Sequence, residues 1–133
     1  VFTGTITAIL LGTLIWTIVV LAPFLHVTID IKTTESTVNV SSCGYTSNIN
    51  IDDIIELKLM DKLPDDHFFK SNGGATESYL VGRFKGNTYG KCSLYIFKDV
   101  SPVLMIKTAD QTVFLNSKKD GEIINLYNAI KNE

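Results

Sequence analysis

The chain has 133 residues, 45% of them hydrophobic and 20% charged, with a formal net charge of -2. That length holds one domain and a small appendage. The balanced charge excludes a nucleic-acid protein, whose phosphate contacts need a basic excess or stripe.

The first element in chain order is the apolar run ITAILLGTLIWTIVVLAPFL, residues 6–25, and no Asp, Glu, Lys or Arg occurs before Asp30. About twenty apolar residues at roughly 1.5 Å each cross a hydrocarbon core about 30 Å thick. Only as a helix does such a run satisfy its own backbone in lipid. The sequence therefore predicts one transmembrane helix within residues 1–25, touching the lipid bilayer through residues 6–25, and a single-pass membrane location for this stretch. A signal peptide would need a cationic n-region and a small-residue cleavage site, and neither is present. The chain opens on Val1 and not on Met, so further residues are expected upstream. Lys32 alone lies near a flank, which leaves the orientation open under the positive-inside rule. Gly4, Ala8 and Gly12 recur every fourth residue. They form either a smooth helix-packing ridge for another span, upstream or in a second copy, or the ordinary small-residue content of a span.

From residue 26 to residue 133 the dominant period is two. Val27, Ile29 and Ile31 alternate with Thr28, Asp30 and Lys32, and Val38 and Val40 alternate with Thr37, Asn39 and Ser41. Ile55, Leu57, Leu59 and Leu63 share one face, with Glu56, Lys58, Met60 and Lys62 on the other. This alternation predicts half-buried antiparallel strands. Turns are expected at Thr34-Glu35-Ser36, Cys43-Gly44 and Asp52-Asp53, and over the long PDDHFFKSNGGATES. Further strands are expected over 79–85, 91–98, 103–108 and 112–116, about seven or eight in all. In the last segment Ile123, Ile124, Tyr127 and Ile130 recur at helical spacing, with Leu126 widening the stripe. Ser117 or Asp120 is the expected cap of that helix. The order predicts a mainly β domain with a C-terminal amphipathic α-helix that closes an open end of the sheet.

The run from Asp53-Ile54 through DKLP, LVGRFKGNTYGKCSLYIF, PVLMIKT, TVFLNS and LYNAI resembles the bacterial pleckstrin-homology-like (PH-like) domains of Gram-positive membrane proteins. The resemblance covers roughly Val27 to Lys131. It implies a partly open seven-stranded β-barrel or bent sandwich plugged by the C-terminal helix, carried on membrane helices. Pleckstrin-homology domains that bind phosphoinositides place cations around the first strand-to-strand loop. The matching loop here, Lys32-Thr33-Thr34-Glu35, has one cation and one acid, so inositol-lipid recognition is not expected.

The residues that could carry chemistry are few. RFKGNTYGKC, residues 83–92, has its glycines at neither dinucleotide nor Walker spacing, and a strand, not a helix, follows it. A phosphate loop needs that helix N-terminus, so a hairpin turn at Gly86-Asn87 is predicted. From 78 to 98 there are four cations and no acid, whereas 52 to 66 carries six acids and two lysines. Arg83, Lys85 and Lys91 are therefore either an anion- or headgroup-facing patch or a solvated surface. His26 reads as an interfacial residue. His67, after Asp65-Asp66, reads as part of a solvated turn, the other reading being a weak metal site short of the three or four fixed ligands a defined one needs. Phe68-Phe69 are expected to pin the long loop to the barrel, and a binding tip is the other reading. Cys43 and Cys92 match no zinc or redox spacing. They are either two packed thiols or a disulfide marking an extracytoplasmic face.

No catalytic, cofactor-binding or metal-ligating residue is assigned, and no cofactor is expected. The function expected is a membrane-anchored, non-catalytic binding or scaffold module with a protein or peptide partner, for which strand addition at a sheet edge is one route. The alternative is a structural or assembly domain of a larger membrane protein or homo-oligomer.

Overall fold

The computed structural model describes residues 27–132. The expected membrane helix over 6–25 and the Gly4–Ala8–Gly12 ridge lie outside the described residues. Among the described residues no helix is long and apolar enough to cross a membrane.

Among the described residues nine strands form two sheets. The smaller sheet is an antiparallel meander of β1 (Asp30–Thr33), β2 (Thr37–Ser42) and β3 (Tyr45–Asn50). A 3-10 turn at Ile51–Asp53, where the Asp52-Asp53 turn is expected, leads into the larger sheet. That sheet comprises β4 (Ile54–Met60), β5 (Phe69–Ala75), β6 (Tyr79–Gly86), β7 (Gly90–Phe97), β8 (Val103–Thr108) and β9 (Thr112–Leu115), in the order β4-β8-β9-β7-β6-β5. Over the described residues the fold is mainly β, with two packed sheets, no closed barrel and a C-terminal helix, α1 (Glu122–Lys131).

The two sheets face each other across one apolar cluster. Val38, Val40 and Ile49 from the small sheet meet Tyr79, Val81, Tyr95, Leu104, Ile106 and Leu115 from the large one. Helix α1 packs beside β4 and β8 and buries Ile123, Leu126 and Ile130 in this cluster. The large sheet is apolar on its other face too. There Phe84, Leu94, Ile96, Met105 and Phe114 lie beneath Leu63 and Phe68, which belong to the connection between β4 and β5. This connection works as a strap, held at one end by the Ser101 hydroxyl donating to the Asp61 carbonyl. With both faces covered, β7, β8 and β9 are buried along nearly their whole length, as the near-continuous apolar runs LYIF, VLMI and VFL require.

Several expectations are corrected. Nine strands replace seven or eight, and they are not all antiparallel: β9 pairs antiparallel with β8 but parallel with β7. Strands β3 and β5 occupy stretches with no apolar alternation. In β3 the inward position between Tyr45 and Ile49 is Ser47, whose hydroxyl shares a 2.8 Å hydrogen bond with the Tyr95 hydroxyl. The second half of PDDHFFKSNGGATES is edge strand β5, where Gly73 and Gly82 stand opposite each other. A Cβ on Gly82 would come within 2.7 Å of the Gly73 Cα, so the strands approach more closely than any side chain permits. A register shift between Ile54 and Glu56 turns Ile55 outward, 67% exposed. Ile54, Leu57 and Leu59 then pack on the inter-sheet cluster, and Leu63 on the opposite one. On α1, Ile124 is exposed and Leu126 takes its place on the buried stripe. Neither Ser117 nor Asp120 caps that helix. Gly121, with φ +75°, precedes it, and the Ser117 hydroxyl accepts from Lys119 N at 3.1 Å. Cys43 and Cys92 are not joined by a disulfide.

Candidate functional site

The inward face of the β6–β7 hairpin changes character along its length. Cross-strand partners run Tyr79 with Phe97, Val81 with Tyr95, Arg83 with Ser93 and Lys85 with Lys91. The first two pairs belong to the inter-sheet core. The last two line a cavity of about 360 Å³ that also reaches Ser71 on β5 and Asp110 and Gln111 in the β8–β9 turn. Because side chains alternate across a strand, one face carries the core and, four residues further along, its polar mouth.

Arg83 stands at the boundary. Its Nη1 donates to Ser93 Oγ at 2.7 Å, Tyr95 Oη at 3.2 Å and Ser47 Oγ at 3.4 Å, and its Nη2 donates to the Thr46 carbonyl at 2.9 Å. The guanidinium carbon also sits 5.8 Å from the centre of the Tyr45 ring. These contacts tie β6 and β7 to β3, so the half-buried cation helps fasten the two sheets together. Every one of these partners is formally neutral. Among the described residues the one ion pair is Lys119 with Glu122, on the approach to α1. Arg83, Lys85 and Lys91 thus share a cavity without a carboxylate within ion-pair distance, Asp110 being the one acid in its lining.

The turn joining these strands does cradle an anion, one that the chain supplies. Asp66, at the end of the strap, is buried, and its carboxylate accepts Thr88 N at 2.8 Å and Tyr89 N at 2.9 Å. Its carbonyl accepts Asn87 N at 2.9 Å. A Cβ on Gly86 would meet the Asp66 carboxylate at 2.1 Å, so glycine is required there for the strap to dock. Burial pushes the Asp66 carboxyl up, but the N–H groups of Tyr89 and Thr88, the Thr88 side chain and neighbouring His67 together hold it below its ordinary value. Of the acid-rich 52–66 segment, Asp66 reaches the hairpin, on the strap side and not in the cationic cavity.

The remaining candidates fall elsewhere. Phe68 packs edge-on against Phe114 with ring centres 5.8 Å apart, whereas Phe69 is 57% exposed on edge strand β5. Among the described residues no group of three or more His, Cys, Asp or Glu side chains could hold a metal ion. Burial, followed by the charge of Asp66, pushes the Cys92 thiol up to about 11, which makes it a poor nucleophile.

The profile of the bacterial PH domain matches residues 29–129. The chain belongs to the bacterial PH domain family. No curated protein and no solved structure matches it. The cavity therefore belongs to the PH domain itself, formed by β5, β6, β7 and the β8–β9 turn, all within the matched residues. Sequence reasoning singles out its three cations but not Ser71, Ser93, Asp110 or Gln111. Ser93 was available from the period of two, being Arg83's cross-strand partner. Asp110 and Gln111 arrive from a distant turn that one-chain periodicity does not place.

Proposed function

We propose that this chain is a membrane-anchored, non-catalytic binding module in which residues 26–133 form the PH domain and residues 1–25 the anchor. The apolar run over residues 6–25 supports the anchor, and membership of the bacterial PH domain family supports the binding role. The observation that carries the reading is the convergence of Arg83, Lys85 and Lys91 on one cavity without an ion-pair partner among the described residues. Held near a bilayer, such cations are drawn to anionic groups by about 1 kcal/mol each, an attraction that fades with salt. Because the anchor already recruits the chain, this contact orients the domain or engages a ligand beside the membrane.

The test uses the full chain in nanodiscs. In low salt, Lys85 and Lys91 should acetylate more slowly on anionic than on neutral lipid, while Lys119 should not change. Equal acetylation on both lipids would remove the anion-facing role.

A second reading, assembly with another copy or a larger membrane protein, draws on Ile55 and Phe69. These large apolar side chains are exposed on β4 and β5, the two edges of the large sheet. Exposed edges are templates for pairing with another strand. Phe69→Ser should then abolish cross-linked oligomers of the full chain in membranes, and an unchanged oligomer would discard this reading.

A further inference from the structure

We infer that the cavity between β5, β6, β7 and the β8–β9 turn takes a phosphomonoester group, with Arg83 as its fixed donor and Lys85 and Lys91 as its two jaws. This inference rests on the anion-facing reading above and specifies its ligand.

Three features of the site favour this ligand. Lys85 and Lys91 are direct cross-strand partners, a placement that sets two like charges side by side and destabilises a bare sheet. No carboxylate within ion-pair distance relieves them among the described residues. An anion seated between them would. Arg83 is held in one orientation by Ser93, Tyr95, Ser47 and the Thr46 carbonyl. Those bonds leave its Nε–H and one Nη2–H without a partner among the described residues, so it is a preorganised donor. The Ser93 hydroxyl, whose oxygen accepts from Arg83, keeps its own proton to donate, and Ser71 adds a second hydroxyl to the lining.

The donor count selects the ligand. A carboxylate offers two oxygens and one charge. A phosphomonoester offers three terminal oxygens and a charge near -2 at neutral pH, a better match to three cations and two hydroxyls. The cavity, about 360 Å³, has room for on the order of ten waters, so it also accommodates the ester part of the ligand. The Asp110 carboxylate and the Gln111 side-chain amide, both in the lining, offer acceptor oxygens suited to hydroxyl groups on that ester. The phosphate could be carried by a free metabolite or by a lipid headgroup with a terminal phosphate, and the chemistry at the three cations is the same.

The experiment uses the full chain in neutral nanodiscs and follows the melting midpoint of the PH domain with inorganic phosphate as probe. Saturating phosphate should raise the midpoint by about 4 °C or more, whereas chloride and acetate at matched ionic strength should not. The K85Q/K91Q double variant should lose this response while its midpoint without phosphate stays equal to wild type or rises, because a like-charge pair has been removed. A lower midpoint without phosphate would assign the lysines to packing and overturn the inference. An undiminished response in the variant, or an equal response to acetate, would also overturn it. Nanodiscs carrying phosphatidic acid or phosphatidylserine at matched charge separate the sources. Stronger protection of Lys85 and Lys91 from acetylation on phosphatidic acid indicates a headgroup, and a response to free phosphate alone indicates a soluble ligand. Equal protection on both lipids with no phosphate response would overturn the inference yet leave the anion-facing reading standing. No protection on either lipid would end both.

Discussion

Asp66 is a buried carboxylate that accepts from the backbone N–H groups of Thr88 and Tyr89 and from the Thr88 side chain. Bonds to the charged form favour it, and here they outweigh the burial that opposes it, lowering the pKa from the ordinary 3.8. A depressed carboxyl binds fewer protons folded than unfolded, so its contribution to stability is complete above about pH 4 and is lost as pH falls through the folded value. Asp66→Asn should therefore lower the urea midpoint at neutral pH and flatten its decline below about pH 4. Parallel pH profiles for wild type and variant would show that the carboxylate's charge does not hold the strap. Cys92 has the opposite linkage. Its thiol, raised from 9.0 to about 11, contributes stability below pH 9 that is lost as pH rises through about 11. At neutral pH it should resist alkylation until the domain unfolds.

Among the elements, α1 shows how burial follows the actual helical face more than the count of apolar residues. Ile123, Leu126 and Ile130 enter the inter-sheet cluster and Ile124 stays outside. Ile130→Ala should cost about 2–4 kcal/mol, as buried large-to-small changes do, with the loss read as a lower denaturant midpoint at unchanged slope. A change within error would place the helix off the core. Elements with a clean apolar period or a continuous apolar run were legible in the sequence: β2, β6, β7, β8 and β9, together with α1. Strand β3 was not, because Ser47 holds an inward position that only Tyr95 and Arg83, far along the chain, make tolerable. Strand β5 was not, because an exposed edge built around the Gly73–Gly82 approach reads as a loop. The strap was hidden for a related reason. Asp66 and Gly86 are ordinary turn residues until the fold brings them together.

Across residues 27–132, the large sheet is covered on one face by the small sheet and α1 and on the other by the strap. The polar exit of the inter-sheet core is the cationic cavity. Its three cations were legible as a cluster from the strand period, but their convergence was not, since it depends on β5 and the β8–β9 turn closing around them. The proposed anion site at this exit centres on Arg83. The most direct measurement is the NMR resonance of the Arg83 Nε–H in the full chain, followed while inorganic phosphate is titrated at constant ionic strength. An anion bound there should produce a saturable shift of that resonance, shared by the amides of Ser93 and Lys91 and lost in K85Q/K91Q. A linear, unsaturable drift spread evenly over surface lysines such as Lys119, with Arg83 unmoved, would contradict it.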